Sequence, residues 1–304
     1  MKYRVVHKTE YVYGVTVSLS HNLAHLRPRN LPAQQCLGYR LQVDPLPLDL
    51  AEHEDFFGNH VSYFSITQPH QTLTVTATSE IQVDAGSGQL ALDKDMPWDE
   101  VRVRLAEPLT DGARENRQFV LDSALATAAP ELAGYAAASF PPGRPLLEAV
   151  GELMARVHHE FTYDPGFSTV STPLAEVLSS RRGVCQDFAH LAIASLRSLG
   201  LAARYVSGYL ETLPPPGQAK QQGTDESHAW FSVYLPDVGW HDFDPTNNKI
   251  PLDQHVTTAW GRDYADVTPL KGVIFGGDPG HRPRVSVDMT RLPEPDAAAG
   301  QVKR

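Results

Sequence analysis

The sequence predicts an α+β protein, in which an antiparallel β-domain comes first and a mixed region of helices and strands follows. Within 71–83, apolar residues alternate with threonines, which is the period of a strand with one buried face. Within 146–161, apolar residues instead recur every three or four positions, as they do on one face of a helix. The change of period along the chain therefore predicts a change of architecture.

Residues 1–105 carry the signals of an antiparallel β-domain and favour a sandwich. Tyr39, Leu41 and Val43 repeat the alternation, which stops at the turn-forming sequence DPLP. Further along, Gly58-Asn59 lies between apolar flanks, a pattern typical of the tip of a hairpin.

The rest of the chain divides into three parts. Residues 106–145, rich in alanine and proline, are predicted to form a helical linker. Residues 146–290 are predicted to form the core, which begins with the amphipathic helix. Residues 291–304 have no apolar period, so we expect a flexible tail.

Composition excludes several classes of function. The chain has 26 basic and 36 acidic residues, a net charge of −10 and no basic block, so a nucleic-acid partner is not expected. We also expect no membrane insertion and no signal peptide, because no apolar run is long enough for either. The two cysteines are too far apart for a disulfide framework, and Cys36 is predicted to be a packing residue. These features predict a reduced, cytoplasmic protein.

Cys185 stands at the start of a predicted helix, within the sequence RRGVCQDFAHLAIASLRSLGL. Apolar residues from Phe188 to Leu199 recur at helical spacing, and Gly200 ends the helix. In the first helical turn, the dipole and the free N–H groups favour a thiolate and can stabilise negative charge on a substrate oxygen. A small, buried packing residue explains the position equally well, so a reactive role requires a base nearby.

His228 is the candidate base, on the first strand of a predicted hairpin with the sequence SHAWFSVYLPDVGWHDFDPT. Asp244 lies on the second strand, and adjacent antiparallel strands can bring an imidazole and a carboxylate together as base and orienting group. Trp230 and Trp240 are predicted to pack the hairpin against the helix. Taken alone, an ordinary hairpin with a chance histidine and aspartate explains the pattern better.

The length of the hairpin loop decides whether His228 and Asp244 can meet. A regular two-residue loop at 237–238 would place their side chains on opposite faces of the sheet. A three-residue loop, with Leu235 opposite Gly239, makes them diagonal neighbours on one face. We therefore predict an odd-length loop in which Gly239 takes the left-handed conformation.

No metal or cofactor site is predicted. His158 and His159 are adjacent on a helix and point apart, which makes a poor pair of ligands. His21 and His25 are four residues apart, but the glutamate of an HExxH motif is missing. Zinc usually binds several closely spaced cysteines or histidines, which this sequence lacks.

The segments GVCQDFAHLAIASLRSLGLAARYVSGYL and SHAWFSVYLPDVGWHDFDPTNN resemble the core of the transglutaminase-like superfamily of thiol enzymes. The resemblance covers roughly 146–250, and the first third resembles the β-domain that precedes this core in bacterial members. It implies a papain-like fold, in which a helix bearing the cysteine packs on an antiparallel sheet bearing the histidine and the aspartate. It also implies a catalytic triad of Cys185, His228 and Asp244.

The resemblance implies a role for each residue of the site. Cys185 attacks a carbonyl to form a thioester, His228 transfers the protons, and Asp244 holds the imidazole in one tautomer. The backbone N–H of Cys185 is expected to be one oxyanion donor, and the side chain of Gln186 or Tyr163 is a candidate for the second. Packing and helix-surface roles explain Gln186 and Tyr163 at least as well.

Three functions follow from this resemblance, all with a peptide or protein as the partner. Attack by water on the thioester gives a cysteine peptidase or amidase, and attack by an amine gives a transglutaminase. A binding or scaffold module is the third, although the complete triad argues against it. Compact bacterial members are usually described as cysteine proteases, and no EF-hand-like loop is present, so we predict a hydrolase. The polar loop at 212–226 is predicted to border the active site.

Overall fold

The computed structural model describes residues 1–84, 90–107, 109–212, 226–277 and 283–293. Within these ranges the strands are β1 (Lys2–Ala24), β2 (Gln34–Asp44), β3 (Asp49–Glu54), β4 (His60–Ile66), β5 (His70–Val83), β6 (Thr162–Tyr163), β7 (Arg182–Gly183), β8 (Ala203–Leu210), β9 (Glu226–Leu235), β10 (Gly239–Phe243), β11 (His255–Gly261), β12 (Leu270–Gly276) and β13 (Arg284–Leu292). The α-helices are α1 (Trp98–Ala106), α2 (Asp111–Asn116), α3 (Pro130–Ala137), α4 (Leu146–Glu160), α5 (Leu174–Ser180), α6 (Cys185–Ser198) and α7 (Tyr264–Val267). The predicted α+β class is confirmed.

The first five strands belong to one seven-stranded antiparallel sheet rather than to the two sheets of a sandwich. Its order is β2-β5-β1-β4-β3, and β12 and β13 also pair with β1. In β5 the predicted alternation is confirmed, because Leu73, Val75 and Ala77 are buried. The predicted hairpin tip is confirmed as well, since Gly58 lies between β3 and β4 with a φ of 70°.

The division of the chain differs from the predicted one at three places. The C-terminal strands β12 and β13 complete the N-terminal sheet, although they lie mostly in the range assigned to the core. Arg291 and Leu292, assigned to a flexible tail, are strand residues opposite Tyr3 and Lys2, because main-chain pairing with β1 orders them. Helix α1 begins at Trp98, inside the range assigned to the β-domain. The predicted tail beyond 293 lies outside the described residues.

The second part of the molecule is built around α6, which packs on a four-stranded antiparallel sheet of order β10-β9-β8-β11. Helix α4 presents the predicted apolar stripe to the same core. Among the described residues, no helix combines the length and the apolar character needed to cross a bilayer.

Strand β1 joins the two parts of the molecule. Tyr3 and Val5 on its inner face pack with Tyr209 and Val256 of the four-stranded sheet. At the edge of this contact, the buried carboxylate of Glu211 accepts a hydrogen bond of 3.1 Å from the Tyr3 hydroxyl. The junction brings the inner face of β1 close to the N-terminus of α6.

Candidate active site

Cys185 is the first residue of α6, as the sequence predicts, and its side chain is half-buried. The helix start is held by Asp187, whose carboxylate accepts a hydrogen bond of 2.8 Å from the N–H of Val184 and another from the Ser168 hydroxyl. A β-carbon at Gly183 would lie 2.9 Å from that of Asp187, so only glycine lets the chain enter the helix this closely. The thiol is therefore fixed in a first turn whose N–H groups lack helical partners.

The β9–β10 hairpin has the register that the triad requires. Leu235 pairs with Gly239, so the loop holds three residues, 236–238, and the predicted odd-length loop is confirmed. Two residues of this turn have positive φ, Asp237 at 66° and Gly239 at 122°, so Asp237 shares the strained conformation that the sequence assigned to Gly239 alone. As a result His228 and Asp244 meet, with 2.9 Å between the imidazole Nε2 and the carboxylate Oδ2.

His228 is 3% exposed, and its environment favours the protonated imidazole. Burial by itself would lower the pKa of His228, but the hydrogen bond with the Asp244 carboxylate and then the nearby Cys185 thiol raise it to about 10. Because Asp244 binds Nε2, Nδ1 is the nitrogen left for the thiol, and it forms no hydrogen bond of standard geometry with another described residue. The imidazole thus lies between a thiol and a carboxylate.

Asp244 is fully buried and accepts five hydrogen bonds. Its Oδ2 accepts from Nε2 of His228 at 2.9 Å, from Nε2 of His255 at 3.0 Å and from the Asn247 amide at 2.8 Å. Its Oδ1 accepts from the N–H groups of Thr246 and Asn247 in the turn that follows β10. Burial would raise the pKa of Asp244, but the hydrogen bonds with the two histidines hold it far below its ordinary value. The carboxylate therefore stays ionised beside His228.

His255 is the residue of this cluster that sequence reasoning missed. It lies on β11, is 5% exposed, and no motif surrounds it in the sequence. The only available signal is strand pairing: Gly208 on β8 pairs with His228 on one side and with Thr257 on the other. Strand periodicity then places the side chain two residues before Thr257 on the face that bears His228.

Trp230 does not pack against α6 as predicted. On β9, Ala229, Phe231 and Val233 belong to the core around α6, so the strand period turns Trp230 to the face of His228. Its ring packs edge-on against that of His255, with 5.2 Å between the ring centroids, and its indole N–H donates a hydrogen bond of 3.2 Å to the Asp242 carboxylate.

The cluster of His228, Asp244 and His255 also has the composition of a metal site. Within the part of the chain that the structure describes, it is the one group whose ligand atoms all lie close together, within 4.8 Å of one another. Both Nε2 atoms, however, are at hydrogen-bond distance from a single carboxylate oxygen. Hydrogen bonding accounts for the arrangement without an ion.

Cys185 and His228 line a cavity of about 370 Å³. The structure also brings Gln186 and Tyr163, the two candidate oxyanion donors, to this cavity. Tyr163 is 43% exposed and lies opposite Gly183 in the short β6–β7 pair, which explains its closeness to the thiol. The polar loop predicted to border the site lies outside the described residues except at its two ends.

Comparison with known proteins agrees with this organisation. Residues 3–82 match the family described as the bacterial transglutaminase-like N-terminal region, and residues 135–245 match the transglutaminase-like superfamily. An uncharacterized protein of Mycobacterium tuberculosis is 42% identical over 294 residues, which cover 95% of this chain and 92% of that protein. An uncharacterized protein of Mycobacterium leprae is 33% identical over 291 residues, covering 95% and 98%.

Two further similarities concern proteins with a named activity. A protein-glutamine gamma-glutamyltransferase of Pseudomonas aeruginosa is 28% identical over 139 residues, which cover 42% of this chain and 21% of that protein. The crystal structure of a "Putative Cysteine Protease" from Cytophaga hutchinsonii superposes with a TM-score of 0.72 and 22% identity, covering 97% of this chain and 92% of that one. The fold is thus shared along nearly the whole length, and the chain belongs to the transglutaminase-like superfamily, with the N-terminal region found in bacterial members.

Proposed function

We propose that this protein is a thiol hydrolase that cleaves a peptide or isopeptide amide through Cys185, His228 and Asp244. The observation that carries the proposal is the linked arrangement of the three groups. A thiol at the start of a buried helix interacts with an imidazole, which a fully buried carboxylate binds at 2.9 Å. This arrangement supports the roles of nucleophile, base and orienting group for Cys185, His228 and Asp244.

The electrostatics of the site support a reactive resting state. With its pKa raised to about 10, His228 carries a proton at neutral pH, and this proton is available for a leaving amine. Asp244 is held in its ionised form by its donors and so keeps the imidazolium oriented.

The reaction follows from this resting state. The Cys185 thiolate attacks the carbonyl carbon of the amide, and the N–H of Cys185 stabilises the oxyanion, with Gln186 or Tyr163 as second donor. The C–N bond then breaks as His228 gives its proton to the leaving amine. Water attacks the thioester while His228 takes one of its protons, and the C–S bond breaks to release the acid and restore the thiolate.

Transfer of the acyl group to an amine is the second candidate. It uses the same thioester and differs only in the group that attacks it. Similarity to a protein-glutamine gamma-glutamyltransferase over 139 residues favours this alternative. A scaffold role is less favoured, because all three side chains are present, Asp244 binds His228, and Cys185 lines the same cavity as His228.

The test is product analysis on glutamine-containing peptides, with and without an added primary amine, by mass spectrometry. We expect cleaved or deamidated products from the wild type with or without the amine, and none from Cys185→Ala. Cys36→Ala is the matched control and should retain full activity, because Cys36 lies on β2 outside the cavity. His228→Ala should match Cys185→Ala, and Asp244→Asn should lose less, since that residue orients rather than reacts.

The outcomes separate the candidates. Products that carry the amine, with little hydrolysis in its presence, would favour the transferase. Wild-type amounts of product from Cys185→Ala would overturn the role of Cys185, and absence of product from the wild type on all of these peptides would favour a binding module.

A further inference from the structure

The inner face of β1 changes character along its length. Alternate residues of the strand point to the same side, and the first of these, Tyr3 and Val5, pack on Tyr209 and Val256. The next residues on this face are His7, Thr9 and Tyr11, and all three line the cavity that contains Cys185 and His228. The first two residues of the face are thus covered by the four-stranded sheet, and the next three meet the candidate active site.

The C-terminal strands extend the same wall. Leu270 begins β12, Val285 belongs to β13, and both line the cavity. Both strands pair with β1, so one sheet supplies this whole side of the cavity. On the other side lie the start of α6 and residues of β8 and β9.

We propose that the N-terminal sheet forms the substrate-binding wall of the active site, and that it selects peptides whose residues next to the scissile amide are uncharged. His7, Thr9 and Tyr11 are the residues that would contact this part of the substrate. The inference rests on the proposed function and adds the substrate class to it.

The chemistry of the cavity favours uncharged residues. Among the described residues that line it, none is a lysine, arginine, aspartate or glutamate. Four tyrosines contribute to the lining, at positions 11, 163, 205 and 264. Burial lowers the pKa of His7 to about 4, so this imidazole is neutral at pH 7. Apart from the proposed catalytic pair of Cys185 and His228, these residues offer no ionic partner to a charged side chain, which would lose water on entering the cavity.

The outer face of the same strand offers matched controls. Lys8 and Glu10 point away from the cavity and pair with each other at 2.8 Å. Val12 is 72% exposed and follows Tyr11 directly. A change on this face alters the same strand without altering the proposed wall.

The test measures the rate at which thiol reagents alkylate Cys185, followed by intact mass and peptide mapping. The probes are N-acetyl dipeptide chloromethyl ketones that carry phenylalanine, glutamine, lysine or glutamate, with iodoacetamide as a reagent too small to need the wall. For the wild type, we expect the two uncharged probes to react about tenfold faster than the two charged ones. Tyr11→Ala and Thr9→Val should slow the uncharged probes by about threefold to tenfold, as expected for a lost ring contact or hydrogen bond.

The variants distinguish an effect on substrate binding by the proposed wall from an effect on the reactivity of the thiol. Iodoacetamide should react equally with the wild type, Tyr11→Ala and Val12→Ala, and Val12→Ala should keep the wild-type rates with every probe. Tyr11→Lys should speed the glutamate probe relative to the lysine probe, a gain that a poorly folded protein would not give.

Two results would overturn this inference and leave the proposed function standing. One is equal rates of alkylation by charged and uncharged probes. The other is that no β1 variant changes the rates of the peptide probes while iodoacetamide still labels Cys185. Failure of every reagent to label Cys185 in the folded wild type overturns the proposed function, and this inference with it.

Discussion

Asp244 is the residue on which the geometry of the site most depends. One oxygen of its carboxylate accepts from two imidazoles, those of His228 and His255, at 2.9 and 3.0 Å. A fully buried carboxylate is stable only when its oxygens are hydrogen-bonded, and here each donor also fixes the direction of the carboxylate. The pairing therefore stabilises the fold and orients His228 at the same time.

This pairing predicts a dependence of stability on pH. The pKa of His228 is raised to about 10 in the folded protein, against about 6.5 for an unfolded histidine. The stabilisation is then fully present below about pH 6.5 and is lost as the pH rises towards 10. Urea unfolding of the wild type and of Asp244→Asn should show a difference in the free energy of unfolding that shrinks by about 1 kcal/mol or more across this window. A difference that stays constant with pH would contradict the prediction.

His255 is expected to act as a positioning residue. Removing its hydrogen bond leaves Asp244 a stronger acceptor for the remaining imidazolium, so the pKa of His228 should rise. In His255→Phe, the alkaline limb of the kcat/KM profile should therefore move to higher pH, with a lower kcat because the carboxylate is less well oriented. His255→Gln keeps an N–H donor and should restore most of the wild-type profile. A purely structural role would lower the amount of folded enzyme without moving the pH profile.

At the scale of the elements, β8 holds the two histidine-bearing strands together. Gly208 pairs with His228 of β9 and with Thr257 of β11. A β-carbon at Gly208 would overlap the carbonyl oxygen of Val256 and lie 2.6 Å from the ring of Trp230. The absence of a side chain there is what lets the three strands and the indole come this close.

Gly208→Ala should therefore destabilise the protein by about 2–4 kcal/mol, through the shift of β11 and Trp230 that an added methyl group requires. Activity should fall further than stability, since His255 lies on the strand that must move. Gly151→Ala in helix α4 is the matched control: nothing lies within 4 Å of its added β-carbon, and it should stabilise the helix by up to about 1 kcal/mol. Thermal unfolding of both variants beside the wild type checks this, and a neutral Gly208→Ala would refute it.

The sequence allowed the prediction of elements and contacts that depend on local spacing. Three features follow from short stretches of sequence: the helical period at 146–161, the helix start at Cys185 and the register of the β9–β10 hairpin. They can be predicted because neighbouring residues determine a helix face or a loop length. The pairing of β12 and β13 with β1 and the contact of His255 with Asp244 join distant segments. No local pattern specifies such partners, so these features were missed.

At the scale of the whole molecule, the N-terminal sheet contains strands from the beginning and from the end of the described chain. The first strand and the last described strand pair along Lys2–Glu10 and Arg284–Leu292, with the four-stranded sheet inserted between them in sequence. Residues of both strands, among them His7, Thr9 and Val285, therefore contribute to the proposed substrate wall.

A partly buried ion pair connects this wall to the four-stranded sheet, and its removal gives the last prediction. Arg291 donates two hydrogen bonds, of 2.8 and 2.7 Å, to Glu211, whose side chain is only 4% exposed. Among the described residues, Arg291→Ala leaves that carboxylate with its hydrogen bond from the Tyr3 hydroxyl, and it should cost about 1–3 kcal/mol, less than a fully buried pair because Arg291 is itself 42% exposed. Hydrogen exchange should quicken in β13 before it does in α6. Arg4→Ala removes the exposed pair between Arg4 of β1 and Glu80 of β5 and should change stability much less. Equal effects of the two substitutions would show that the Arg291–Glu211 pair does not hold the wall in place.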